Sequence, residues 1–338
     1  VVGSADATIN SITVGKGASD VIGNMVVGEN ALDAVTTGSF NTGVGRQALT
    51  DLTSGQSNTA IGSGAQYDLT TGHQNTSVGY NSLGANSTGS NNTAVGCVAL
   101  DAVTTSNNTA IGANALTTST SGASNTAVGA FALDANTTAS NNTAVGFNSL
   151  TANTTGVNNT AVGRLALASN TTASENASLG SAALNLNTTG ASNVAVGRLA
   201  LYANTTASNN TAVGKSALQS NTTGSNNTAV GQDSLSSNTT GFTANTAVGV
   251  GTLKSNTTGN ANVAIGYTAL REGNRSNNTA VGFEALRLGS TGNNNTAVGR
   301  DALTNNTAND NTGLGYHTLR ANTTGIQNVA VGAFALDA

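Results

Sequence analysis

A repeat of about 17 residues constrains this chain more than any other feature. Anchored on the Gly of Asn-Thr-Ala-Val-Gly, it recurs at nineteen glycines from Gly28 to Gly332. Fourteen of the eighteen intervals are 17 residues, three are 16 and one is 18. A length held this tightly while the sequence drifts marks a unit that stacks on its neighbours. Before Asn24 the pattern loosens, and Ile12-Thr13-Val14-Gly15 reads as a degenerate anchor. Residues 1–23 are therefore expected to form an irregular lead-in coil, and 24–338 a repetitive rod.

Comparing the copies separates the positions by what they tolerate. Four residues before each anchor stands Asn in every copy, including Asn92, Asn108, Asn125, Asn142 and Asn159, ahead of Gly96, Gly112, Gly129, Gly146 and Gly163. The residue before the Gly is always a branched aliphatic such as Val145. Four residues after it comes Leu, as in Leu150, with Gln66 the exception, and a small residue precedes that Leu. The two positions directly after the Gly accept almost anything.

Thr-Ala-Val alternates with period 2 and favours β structure, and the Ala-Leu piece reads as a second short apolar strand. The polar stretch between, such as Asn153-Thr154-Thr155-Gly156, has turn chemistry. A unit this short excludes strand-helix-strand repeats and fits one coil of an all-β parallel β-solenoid, or β-roll, of about 19 coils. At about 4.8 Å per coil these make a rod of roughly 90 Å. The nineteen Asn are expected to form an internal ladder, with each Gly at a corner needing positive φ or close backbone approach.

One Val and one Leu per coil is a thin core for ordering 17 residues. The small residues beside them point to a second close contact with another chain, hence a homo-oligomer packed side by side.

Composition agrees with a repeat rather than an ordinary globule. The chain has 49 Asn, 54 Thr, 42 Gly, no Pro, 8% charged and 3% aromatic residues. With 37% hydrophobic residues and a net charge of −4, it is not composed like a disordered chain. Coil-to-coil bonding of backbone N–H groups leaves almost no place for Pro.

The run Asn141-Asn142-Thr143-Ala144-Val145-Gly146-Phe147-Asn148-Ser149-Leu150 resembles repeats of phage tail-fibre proteins and bacterial surface adhesins. It is also similar to the head repeats of trimeric autotransporter adhesins, although here one residue fewer separates Asn from Gly and the period is longer. The resemblance implies a left-handed β-roll, a homotrimer, and a location outside the cell or on a virion. Val1 is not Met and Ala338 falls in mid-repeat, so the chain is expected to be a piece of a larger or processed one.

Catalytic chemistry is not expected. His73 and His317 lie about fourteen repeats apart, so no Ser-His-Asp or Cys-His set assembles within one rod. Acidic residues are scattered, no Cys/His ligand cluster occurs, and no cofactor or metal is expected. Cys97 has no partner in its own chain. Neither a nucleic-acid partner nor membrane insertion of this segment is expected.

The variable position after the Gly holds the candidate contacts. Arg164, Arg198 and Lys215 form either a solvated face or an anion-binding stripe. Tyr80, Phe147, Tyr267, Phe283 and Tyr316 either stack on sugars of a cell-surface glycan or receptor, or pack at a chain interface. A different function is ice binding by stacked Thr columns, because Asn-Thr-Thr recurs at Asn136, Asn153, Asn170, Asn187, Asn204, Asn221, Asn238 and Asn256. The main expectation is a structural shaft or adhesive stalk.

Overall fold

The computed structural model describes residues 6–10, 12–240, 244–288 and 291–337. Both chain ends, Val1 and Ala338, lie outside them. The chain divides into two compact units, Val1–Thr172 and Ala173–Ala338.

In the first unit a hairpin of β1 (Ala7–Ile9) and β2 (Ile12–Gly15) precedes nine parallel strands, from β3 (Met25–Gly28) to β11 (Thr160–Val162). The second holds ten parallel strands, from β12 (Ala177–Leu179) to β21 (Val329–Val331). The strands pair in a register that matches equivalent residues. Thr143, Ala144 and Val145 lie opposite Thr126, Ala127 and Val128 on one side and Thr160, Ala161 and Val162 on the other. In the second unit Ala212 lies between Ala195 and Ala229. The fold is an all-β parallel β-solenoid with a 17-residue period.

Three expectations change. The Ile12–Gly15 segment does not stack as a further anchor, because β2 runs antiparallel to β3 with Gly15 opposite Val26. The lead-in is thus a hairpin that pairs with the first strand of the stack. The Ala-Leu piece is not a strand either. Leu150 and Asn148 both adopt left-handed backbone conformations, φ 52° and 53°, as do their counterparts in other coils. The N–H of Leu150 donates to the Ala166 carbonyl one coil on (3.0 Å), while that of Asn148 donates to Ala130 one coil back (3.1 Å). These cross-coil bonds hold conformations that L residues ordinarily avoid.

The third change concerns Val145. The second residue of each parallel strand, β3 to β21, points inward, and Ala94, Ala110, Ala127, Ala144 and Ala161 are fully buried. The branched aliphatic points outward instead: Val95 is 37% exposed, Ile111 41% and Val162 37%. Along the stack the interior leaves little room for it, and Val26, the inward valine of the first stacked strand, lies opposite Gly43. At Gly43, which takes the inward strand position, an added methyl would already touch Leu32 Cδ1 at 3.5 Å and the Ala48 carbonyl at 3.4 Å. The core therefore consists of the inward strand residues, mostly Ala, the buried Leu column from Leu32 onward, small residues before each Leu, and asparagine, with Val35, Leu52, Leu69 and Val103 as apolar fillers in early coils. The small residues line each coil's own interior, so they mark no contact with another chain.

The anchor glycines are required by close approach. Gly146 has φ 134°, and a Cβ on it would lie 2.6 Å from the Gly163 carbonyl oxygen. No side chain fits between such closely stacked corners.

Candidate functional site

The expected Asn ladder is present within each unit. Asn142 is fully buried, and its backbone N–H donates to Asn125 Oδ1 (3.0 Å) while its amide donates to the Gly156 carbonyl (2.9 Å). Asn125 bonds likewise to Asn108 Oδ1 (3.0 Å) and the Ala139 carbonyl (2.9 Å), and Asn108 to Asn92 Oδ1 (2.9 Å). Each position needs an acceptor for the next backbone N–H and a donor for the corner carbonyl. Asn supplies both; Asp lacks the donor.

A second buried ladder was hidden in what reads as turn sequence. The Asn of Asn-Thr-Thr points into the coil, and Asn136, Asn153, Asn204 and Asn221 are fully buried. Asn153 Nδ2 donates to Asn136 Oδ1 (3.1 Å) and to the Gly156 carbonyl (2.9 Å). In the second unit Asn204 donates to Asn187 (2.7 Å), Asn221 to Asn204 (3.0 Å) and Asn238 to Asn221 (2.7 Å). The available signal was recurrence at one fixed distance after eight successive anchors, from Asn136 to Asn256. The Thr pair that follows is divided: the Thr154 and Thr205 hydroxyls donate to the Thr171 (3.0 Å) and Thr222 (3.1 Å) carbonyls, whereas Thr155 and Thr206 are exposed.

The outward strand residues make a continuous two-column face in each unit. One column is mainly Thr, as in Thr126, Thr143 and Thr160, and the other is always Val, Ile or Leu. Neither column contains a charged residue.

Beside this face runs the variable column. Arg164 is exposed in the first unit, and Arg198 and Lys215 are exposed on neighbouring coils of the second. Tyr80 is 57% exposed and Phe147 47%. Phe147 meets Phe131 edge to face at 6.3 Å. In the second unit Tyr267 and Phe283 stack at 5.3 Å with planes 16° apart, and the Arg300 guanidinium lies 5.2 Å from the Phe283 ring and 6.0 Å from Tyr316. Tyr316 in turn meets Phe334 edge to face at 5.2 Å. These side chains stabilise one another from coil to coil. Asp301 accepts from Arg300 Nε at 3.2 Å and lies 3.1 Å from His317 Nε2.

His73 Nδ1 accepts the Gln56 backbone N–H (3.1 Å), and Cys97 is exposed. Among the described residues no group of three or more His, Cys, Asp or Glu is placed to hold a metal ion, and no helix is long and apolar enough to cross a membrane. Asp68 and Asp101 border a shallow cavity of about 210 Å³ with Tyr67, Asn81 and Gly84. Burial raises both carboxyls above the ordinary aspartate range; Asp51 adds to this for Asp68, and the Gly84 backbone bond opposes it for Asp101. Compared with known proteins, the chain matches no protein-family model and no curated protein sequence.

Proposed function

We propose that this chain is a non-enzymatic structural shaft or adhesive stalk, part of a fibre outside the cell or on a virion, assembled side by side as a homotrimer. The outward aliphatic column carries the reading. Each unit leaves a row of Val, Ile and Leu on an uncharged strand face while its interior takes mostly Ala, Ser or Gly at the equivalent inward position, with Val26 of the first stacked strand the one valine there among the described residues. A second copy of the same face supplies matching apolar columns at the same spacing, so contacts repeat at every coil. Within a unit, bonds from coil to coil and two asparagine ladders give stiffness with little charge for salt to screen. Contacts with a glycan or receptor would fall to the exposed variable column, including Tyr80, Phe147 and Lys215.

Sedimentation equilibrium of the intact chain tests the reading. A trimer across the accessible concentration range supports it, and a stable folded monomer overturns it.

Ice binding stands as a second reading, on a different column from the one the sequence suggested. The strand Thr, among them Thr126, Thr143 and Thr160, lie on a regular sheet surface, whereas half of the turn Thr hydroxyl columns are engaged with backbone. Thermal hysteresis of the purified chain supports this reading, and its absence favours the shaft.

A further inference from the structure

The second asparagine ladder is interrupted in the coil that follows Gly266, where Gly273 stands at the Asn position. Below the gap, Asn256 Oδ1 is buried without a donor. Into the same coil comes Arg275, only 1% exposed, at a position that most other coils fill with Gly or Ala, such as Gly259 and Ala308. Its Nη2 donates to the Glu272 carbonyl (2.7 Å) and the Leu286 carbonyl (2.8 Å). Its Nε and Nη1 are buried with no partner.

We propose that the interior of this coil binds a small monovalent anion, a halide such as chloride, at the Arg275 guanidinium. A buried cation is costly unless paired, and carbonyl oxygens satisfy hydrogen bonds without cancelling its charge. The nearby Glu272 carboxylate offsets part of this charge through space, but its oxygens are engaged by the Ser255 hydroxyl at 2.9 Å and Arg271 Nε at 3.4 Å and make no hydrogen bond to Arg275. Burial lowers the Arg275 pKa to about 10, which leaves the group charged at neutral pH. The unfilled donors Nε and Nη1 suit a spherical acceptor, and Gly273 leaves out the amide that the coils from Asn136 to Asn256 place at this level. A water molecule would satisfy the donors but add no negative charge to what Glu272 supplies from a distance.

Crystals of the intact chain grown in sodium bromide test the proposal by anomalous diffraction, with a bromide peak expected beside Arg275 Nε and Nη1. In solution, the melting temperature should rise on exchanging gluconate for chloride at constant ionic strength, and Arg275→Gly should lose that rise. An ordered water bridging Arg275 and Asn256 with no bromide peak overturns the proposal, as does an unchanged chloride response in Arg275→Gly. Should that variant fail to fold, the bromide experiment on the unaltered chain decides.

Discussion

Asn142 Oδ1 accepts two hydrogen bonds from Asn159, one from its backbone N–H at 2.9 Å and one from its side-chain amide at 3.2 Å. One residue thus terminates the backbone of the coil above it. Asn142→Ala takes the acceptor from the Asn159 N–H and leaves the Gly156 carbonyl with Asn153 Nδ2 as its donor, and should cost about 1–3 kcal/mol. Asn142→Asp keeps an acceptor but loses the donor and buries charge, so it should be no milder. Urea denaturation of the two variants checks both.

The second ladder makes a sharper comparison, because neighbouring residues of one turn should differ. Asn204→Ala removes bonds to Asn187 (2.7 Å) and to the Ala207 carbonyl (2.9 Å) and should cost about 1–3 kcal/mol. Thr206→Ala, at the exposed position two residues on, should stay within about 0.5 kcal/mol. Equal effects in thermal melts would contradict the buried placement of this Asn.

At the corner, Gly146→Ala must displace the coil above, since its Cβ would sit 2.6 Å from the Gly163 oxygen. A loss of more than about 2 kcal/mol is expected, or local opening of that coil, read by amide hydrogen exchange. Leu150→Ala, which empties a fully buried site, should cost about 2–5 kcal/mol.

Acid response gives a prediction with a definite sign. Asp101 titrates above the ordinary aspartate range, chiefly because of burial, so the folded chain holds its proton more tightly than the unfolded one. The stabilisation from this group is present below the unfolded pKa and disappears as pH rises through the raised folded value. Asp101→Asn should therefore raise the melting temperature at pH 7 and change it little at pH 3. A destabilised variant at pH 7 would contradict this.

The coil, its period, the first ladder and the glycine corner are legible in the sequence because each rests on a position that tolerates one residue type, as at Asn142 and Gly146. Which strand face turns inward is not. Thr143-Ala144-Val145 alternates equally well either way, and hydrophobicity alone places Val145 inside. Steric room decides otherwise: stacked Leu side chains and two asparagine columns leave space for little more than a methyl. The left-handed backbone at Leu150 is equally hidden, because nothing in a leucine signals it and the stabilising bonds come from other coils. Asn153 reads as a turn residue because Asn-Thr-Thr-Gly has local turn chemistry, and only its neighbours in the stack reveal the ladder.

The central claim, that the Val column is a surface between copies of this chain, is tested most directly by charging it. Val128→Lys, Val145→Lys and Val162→Lys together place three cations on neighbouring coils of the outward face. Sedimentation velocity should then show a trimer for the unaltered chain and a monomer for the triple variant, with far-ultraviolet circular dichroism confirming β structure in the variant. A triple variant that still sediments as a trimer would contradict the claim.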